Sequence, residues 1–532
     1  MHWPTWTPSA PSTPDFESYL NPRTTVTLHV LLRTVLRKKN KQKWIARSAE
    51  IDYTAGRVSE RTVEPGDPVK KILLINLSYK KVYEEAKVKA GVPHFPPVSL
   101  ASLAGVLLQN GHQVRIFDFN VVKNTRKDFI ELAQSFSPEF IGITFTTTLF
   151  HEMLDILALS RECAPQAFIL AGGPHASSFP ERTLKESGLD AVVVGEGEYP
   201  LLEAVSGKRF EDIKSLCYRK NGEIMLNERR EPSETLDELP FPAWHLYDIT
   251  QYKTPRLTSR RNPVGWMETS RGCVYGCIYC NKSIFGRRFR TKSAERVVAE
   301  MEYMLSCGFR EIHLADDCFT TDMKRASGIC DLIIEKKLKF LWAAITGIRV
   351  DRVDRELLHK MKRAGCYKVF FGVESGSQQI LNNVQKGTNL DQIRNAVAWA
   401  KEAGLETWGA FMIGLPGETE QTMEDTIRFA QELDVDIAKL SITIPLPATK
   451  LYDDLKKGGY IKTEDWKKFN FYVIPSELYD HPNLSWNTIE KYYNRFYREF
   501  YFRPSFIAKR FIKGIRTGTI FDDFLTLVET KW

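Results

Sequence analysis

Arg271-Gly272-Cys273-Val274-Tyr275-Gly276-Cys277-Ile278-Tyr279-Cys280 decides the reading of this sequence. Three thiols fall within eight residues, directly after an apolar run, Val264–Thr269, that reads as a strand. Cysteines so close converge on one inorganic centre only if the chain loops around it, and Gly272 and Gly276 supply that freedom. Thiolates suit soft metals and iron–sulfur clusters. Structural zinc wants a fourth ligand, and Asn281-Lys282 offers none. Cys273, Cys277 and Cys280 therefore read as metal ligands of a [4Fe–4S] cluster, with one iron left open to an external ligand.

Working outward, five more apolar runs follow at helix-length intervals: Glu311–Ala315, Trp342–Thr346, Lys368–Val373, Glu406–Ile413 and Ile437–Ile444. With Val264–Thr269 they predict an incomplete (β/α) barrel, whose working groups belong at the C-terminal ends of the strands. Upstream, Lys71–Asn76, Gln113–Phe117, Phe140–Thr144, Ala167–Ala171 and Ala191–Val194 alternate with amphipathic helical stretches. That alternation predicts a parallel sheet with helices on both faces, binding its ligand at the carboxyl ends of the strands. Between the two series, residues 208–262 read as a connector, broken by Leu239-Pro240-Phe241-Pro242.

The pattern Cys-x3-Cys-x2-Cys, with Tyr279 before its last cysteine, resembles the signature of radical S-adenosylmethionine (SAM) enzymes. In that family the open iron chelates SAM. Further matches follow in order: Leu314-Ala315-Asp316-Asp317, Thr346-Gly347-Ile348-Arg349, Gly372-Val373-Glu374-Ser375-Gly376-Ser377, and Gly409–Gly414 continuing to Leu415-Pro416-Gly417-Glu418-Thr419. The resemblance implies that Tyr279, Asp316, Arg349, Glu374, Ser375 and Gly414 contact SAM, Arg349 suiting a carboxylate. Pro447-Ala448-Thr449 stands where many relatives carry Pro-Gly-Thr.

The upstream block resembles the cobalamin-binding domain that precedes the barrel in one branch of the same family. The matching residues include Phe95–Leu100, Gly111-His112-Gln113-Val114, Asp118, Gly142-Ile143-Thr144, Gly172-Gly173-Pro174-His175-Ala176-Ser177 and Val194-Gly195-Glu196-Gly197-Glu198. The implied cobalamin contacts are Thr144, Gly172, Gly173, His175 and Glu196. The Asp-x-His-x-x-Gly motif that supplies a cobalt-ligating histidine elsewhere is absent. Cobalamin without a histidine ligand is therefore expected, and a degenerate flavodoxin-like domain that binds nothing is the alternative.

The whole reads as an α/β protein. A basic extension (1–68) precedes a doubly wound, Rossmann- or flavodoxin-like cobalamin-binding domain (69–207). The connector (208–262), a partial (β/α)6 TIM-like radical SAM barrel (263–460) and a helical, aromatic and basic C-terminal extension (461–532) complete it. The resemblance implies a methyltransferase. SAM cleavage by the reduced cluster yields a 5′-deoxyadenosyl radical, and methylcobalamin delivers a methyl group to an unactivated carbon of a small-molecule or lipid substrate. A radical cyclisation or oxidative rearrangement on the same cofactors is the second reading, and a non-catalytic cobalamin-binding sensor the third.

Length and composition agree. At 532 residues and 61.1 kDa, two or three domains are expected, and 43% hydrophobic with 26% charged residues is ordinary globular usage. Nine scattered cysteines argue for a reducing compartment, so the six outside the triplet read as free thiols. No apolar run is long enough to span a bilayer, and Met1–Leu20 is unlike a secretory signal. The expected location is the cytoplasm.

The formal charge of +8 is local. Arg23–Ser48 holds eight Lys/Arg and no acid, and outside it the two signs balance at 66 each. No nucleic-acid partner is expected. Within the basic extension, Thr24–Leu36 reads as a helix, either packed on the protein or lying on a membrane surface. Lys491–Arg516 combines eight Lys/Arg with nine aromatics. A cap over the barrel is the first reading there, with peripheral membrane contact second. The remaining partner is an electron donor such as flavodoxin or ferredoxin.

Overall fold

The computed structural model describes residues 68–84, 94–121 and 123–520, all within one compact unit. The helix expected over Thr24–Leu36 lies outside them.

The first sheet is built on the run Lys-Ile-Leu-Leu-Ile-Asn. Strand β1 (Lys71–Asn76) is buried on both faces, and its side chains divide between two cores with the period of two that a pleat imposes. Ile72 and Leu74 meet Leu100, Ala104 and Leu107 of helix Val98–Gln109. Leu73 and Ile75 share the opposite core with Phe129 and Met153, from helices Arg126–Phe136 and Phe150–Cys163. Strands β2 (Gln113–Asp118), β3 (Phe140–Thr144), β4 (Phe168–Gly172) and β5 (Ala191–Val193) pair parallel in the order β2-β1-β3-β4-β5.

Two further strands, β6 (Leu216–Lys220) and β7 (Glu223–Leu226), extend this sheet antiparallel and make it seven-stranded. They come from the stretch read as a connector. Their turn is Asn221-Gly222, with both residues at positive φ (52° and 88°), the conformation this dipeptide favours in hairpins.

In the second sheet β8 (Val264–Met267) leads to a small pair, β9 (Ser270–Arg271) with β10 (Arg290–Thr291). Then follow β11 (Glu311–Leu314), β12 (Leu341–Ile348), β13 (Cys366–Glu374), β14 (Glu406–Ile413) and β15 (Ile437–Ile442). Six of them pair parallel in the order β8-β11-β12-β13-β14-β15, one strand after another, as in a partial barrel. The intervening helices begin at side-chain caps, Ser293, Asp322, Asp354, Asn389 and Thr419, each accepting from a first-turn N–H.

The edge of β15 is met by side chains. Helix Trp486–Tyr501 buries Phe496 and Phe500 on the sheet's core. Its Tyr497 and Tyr501 hydroxyls then serve the strand backbone. Leu440 N–H donates to the Tyr497 oxygen (3.2 Å), which donates back to Leu440 C=O (2.9 Å). Ala438 and Tyr501 repeat the exchange at 3.1 and 2.8 Å. This half of the basic–aromatic segment is a cap. The next helix, Pro504–Thr517, differs: Phe506 packs inward while Ile507, Phe511, Ile512 and Ile515 are each at least half exposed.

Candidate active site

The cysteines occupy the loop between β9 and β10. Its entry needs glycine at 272, where φ is +82° and a Cβ would stand 2.2 Å from the Arg288 carbonyl oxygen. Ile278 pins the middle of the loop: its N–H donates to Val384 C=O and its C=O accepts from Leu451 N–H. Lys282 Nζ donates to the Cys273 and Tyr275 carbonyls. Among the described residues no three His, Cys, Asp or Glu side chains are gathered as a metal site. The donor chemistry nevertheless suits an iron–sulfur cluster, with three free thiols on one glycine-hinged arc.

Three charges surround this loop, two of them at strand ends. Arg349, just past β12, lies over the Tyr275 ring with its guanidinium 3.5 Å from the centroid, and it donates to Lys386 C=O at 2.8 Å. Glu374 closes β13 with φ +66°, a left-handed conformation that costs a non-glycine residue about 1 kcal/mol or more. Its carboxylate accepts from Lys386 Nζ at 2.7 Å. Among the described residues the Tyr279 hydroxyl is buried with no well-formed hydrogen bond, beside the Glu374 carboxylate and the Cys277 thiol. An orphaned hydroxyl beside paired charges fits a missing polar ligand.

The other expected SAM residues sit differently. Asp316 is fully buried and both its oxygens are engaged, by the Thr269 N–H and hydroxyl and by the Ser270 hydroxyl. It ties the end of β11 to the end of β8, while its neighbour Asp317 accepts from Gly272 N–H at 3.2 Å. Ser375 is fully buried against Thr426 (3.1 Å), on helix Glu420–Leu433. Gly414, at φ +77°, donates its N–H to Glu418. Burial pushes the Glu418 carboxyl up to about 8, and its second oxygen has no partner among the described residues.

A cleft enclosing about 1100 Å³ of empty space, its open mouth included, lies at the carboxyl ends of β1, β3, β4 and β5. This is where the strand order reverses, the usual ligand position of a doubly wound sheet. Thr144, Gly172, Gly173 and Glu196 line it, and His175 does not. His175 is buried among Phe145, Phe150, Phe179 and Trp466, with Nδ1 3.1 Å from the Thr147 hydroxyl, and burial pushes it down to about 3. Glycine lets the strand ends below it pack closely: at Gly173 (φ +100°) a Cβ would stand 2.7 Å from Phe145 C=O, and at Gly142 2.9 Å from the Leu74 side chain. A smooth, mostly apolar cradle of this kind fits a large flat ligand.

Arg271 joins the two places. It lines the cleft and stands two residues before Cys273. Its guanidinium donates to Glu196 (2.7 Å) and Glu198 (2.6 Å) of the first sheet's loop and to Glu268 (2.6 Å) beyond β8, while Arg290 pairs with the other face of Glu196. Burial alone would raise the Glu198 carboxyl, but Arg271 outweighs it and holds it below the usual value. At Glu268 burial prevails and the carboxyl is raised. Neither Lys386 nor this network is marked by any spacing rule. Lys386 reaches Glu374 only after a helix, Gln378–Asn383, turns the chain back.

Comparison with known proteins agrees with both halves. Residues 267–430 match the model of the radical SAM superfamily, and residues 90–205 that of the B12-binding domain. An uncharacterized methyltransferase of Pyrococcus horikoshii is 34% identical over 438 residues, covering 79% of this chain and 93% of that protein. The chain belongs to the cobalamin-binding radical SAM enzyme family.

More distant relatives divide by reaction. The cytidylyl-2-hydroxyethylphosphonate methyltransferase of Streptomyces wedmorensis is 29% identical, covering 69% of this chain and 79% of that one. The anaerobic magnesium-protoporphyrin IX monomethyl ester cyclase of Rubrivivax gelatinosus is 27% identical, covering 79% and 76%. In fold, the chain is similar to the radical SAM methyltransferase TsrM of Kitasatospora setae, solved with cobalamin and a [4Fe-4S] cluster (TM-score 0.61, 20% identity, 75% and 76% covered). It is also similar to the cobalamin-dependent radical enzyme OxsB, solved with aqua-cobalamin (TM-score 0.65, 19% identity, 86% and 72% covered). Among the described residues no helix is long and apolar enough to cross a membrane.

Proposed function

We propose that this enzyme transfers a methyl group to an unactivated carbon of a small-molecule or lipid acceptor. The observation that carries the reading is Arg271, which holds the cobalamin cleft and the cysteine loop in one ion-paired frame. When bound, the cluster with SAM supplies one-electron chemistry able to take hydrogen from carbon, and cobalamin supplies the methyl group.

The chain's own groups bind and orient. Cys273, Cys277 and Cys280 hold the cluster through three thiolates. Arg349 and Lys386, with Glu374, offer two cations and a carboxylate to the amino, carboxylate and ribose ends of SAM. The unpartnered Tyr279 hydroxyl takes a hydrogen bond from the same ligand or gives one. Thr144, Gly172, Gly173 and Glu196 receive cobalamin at the cleft. No side chain is needed as nucleophile or general base.

The test is a reconstituted, anaerobic reaction with methyl-labelled SAM and candidate acceptors. Methyl transfer predicts label in the product, with one 5′-deoxyadenosine and one S-adenosylhomocysteine formed per turnover. Acceptor consumption with 5′-deoxyadenosine but no label refutes methyl transfer in favour of cyclisation or oxidative rearrangement. Function that survives Cys277→Ala in the cell refutes both enzyme readings in favour of a sensor.

Two partner assignments complete the proposal. A low-potential donor such as flavodoxin or ferredoxin reduces the cluster. Helix Pro504–Thr517 meets an anionic membrane surface: its outward face is Ile507, Phe511, Ile512 and Ile515, with Arg510 and Arg516 on the same helix, while Lys509 and Lys513 turn inward to pair with Asp434, Glu406 and Asp436. Flotation with phosphatidylserine-containing vesicles should retain the intact enzyme and lose Phe511→Ser/Ile515→Ser. Intact enzyme left in the pellet fraction overturns the assignment.

A further inference from the structure

The loop that carries the three cysteines also has an outer side. Between the first and second cysteine Val274 is 47% exposed, an apolar side chain left in solvent on an otherwise anchored loop. Arginines flank it. Arg352, just past β12 with its side chain 47% exposed, donates through Nε to the Tyr275 hydroxyl at 2.7 Å. Arg287, on the return limb of the loop, is exposed, and its guanidinium lies 3.0 Å from where a Cβ on Gly276 would stand. Residues 274–276 thus present one apolar side chain between two cations, with Cys273 and Cys277 at either end.

Beside this face lies a shallow depression enclosing about 840 Å³ of empty space, its wide mouth included. Phe289, Met323 and Arg352 are among its walls, together with Glu234 and Asp322. The acids nearby already have partners. Glu234 pairs with Arg288 at 3.0 Å, Asp322 accepts the Arg325 N–H at the start of its helix, and Asp351 accepts from Arg349 at 2.9 Å. Among the described residues Arg287 makes no ion pair or hydrogen bond, and Arg352 comes no nearer to a carboxylate than 4.0 Å.

An exposed apolar centre rimmed by arginines has the composition of a protein-binding patch. Cations without counter-ions speed the approach of a partner of opposite charge and orient it. Position says which partner. Electron transfer weakens steeply with distance, so a donor must bring its redox centre against the loop that holds the acceptor. We infer that Val274, Arg287 and Arg352 form the docking surface for a one-electron carrier protein with an acidic face. On docking, one electron passes from the carrier to the cluster held by Cys273, Cys277 and Cys280. The carrier is oxidised by one electron, the cluster reduced by one, and no covalent bond changes. This rests on the reading that the three cysteines hold a cluster, and is indifferent to the reaction that follows.

The test uses the full-length reconstituted enzyme with neither SAM nor acceptor present. Cluster reduction is followed by loss of visible absorbance after rapid mixing with the hydroquinone of an acidic flavodoxin. A separate arm uses illuminated 5-deazariboflavin, a small uncharged reductant. Arg287→Glu/Arg352→Glu should slow reduction by flavodoxin at least about tenfold, the low end of what electrostatic steering supplies. Its reduction by deazariboflavin should be unchanged. Lys127→Glu, at an 83% exposed side chain on helix Arg126–Phe136, should match the wild type in both arms. Added salt should slow the wild type more than the double variant. Equal flavodoxin rates in wild type and double variant overturn the inference, as does a wild-type rate indifferent to salt. Equal slowing by deazariboflavin overturns it too, because the loss then lies in the cluster's surroundings and not in docking. Should the double variant lose its iron, the wild type decides alone. Amide exchange over residues 273–276 and 350–353 should slow when flavodoxin is added, and unchanged exchange there overturns the docking surface. Iron content measured beforehand separates the two failures. A wild-type chain that takes up no iron removes the cluster reading and the docking surface together, whereas a loaded cluster with unaltered flavodoxin kinetics removes the docking surface only.

Discussion

Replacing Arg271 by Met should unsettle the enzyme in a pH-dependent way. The guanidinium is buried and donates to three carboxylates at 2.6–2.7 Å. Arg290 stays paired with Glu196, so the variant strands Glu198 and Glu268 without their main cation. Breaking a buried ion pair from one side costs about 3–5 kcal/mol. The sign with pH follows from Glu198. In the wild type its carboxyl lies below the ordinary value, so it contributes stability above that value and loses it as the pH falls. Without Arg271, burial dominates and both carboxyls rise. The variant is then worst where they are forced to ionise and recovers as acid protonates them. Urea unfolding of wild type and Arg271→Met at pH 8 and at pH 5.5 should show a difference that shrinks by about 1 kcal/mol or more toward acid. Cobalamin retention should fall in parallel, because Arg271 lines the cleft. A difference under about 1 kcal/mol, or one that does not change with pH, refutes the reasoning that the network is held by this cation.

Gly272→Ala places a methyl 2.2 Å from the Arg288 carbonyl at a left-handed position, so reconstituted iron should fall well below wild type while Gly286→Ala, with open space around it, keeps its iron. Tyr497→Phe removes both bonds to Leu440 and should cost about 1–3 kcal/mol with faster amide exchange at Leu440; equal exchange would mean the edge is not held there. The Glu418 carboxyl, raised to about 8, is stable in its protonated form, so folding stability should decline as pH rises from about 4.5 to 8 through this group. Glu418→Gln should flatten that decline in thermal melts, and an unchanged slope would remove Glu418 as its source.

The parts of the fold that rest on local pattern are visible in the sequence. Ile72–Ile75 and the barrel strands announce themselves because burial on both faces demands continuous apolar runs. Strand β7 does not. Glu223, Met225 and Leu226 are exposed at a sheet edge, so no periodicity marks them, although Asn221-Gly222 was a turn signal that could have found the hairpin. At the site, the cysteine loop and the residues ending β12 and β13 can be read because they sit in ordered motifs. Lys386 and Arg271 cannot, since their significance lies in partners that only folding supplies. Asp316 illustrates the converse, for its motif position says nothing of the three hydrogen bonds that occupy it.

The tyrosine closure of β15 has a consequence for biosynthesis. The strand ends at Ile442, but the hydroxyls that occupy its edge arrive only with Tyr497 and Tyr501. On the ribosome the half barrel is therefore complete in its parallel ladder well before its last edge is covered. Unpaired edges in partly made chains are where strands of neighbouring molecules add on. Synthesis passes through an interval in which this protein is most open to aggregation, and a pause or truncation before Trp486 would prolong it.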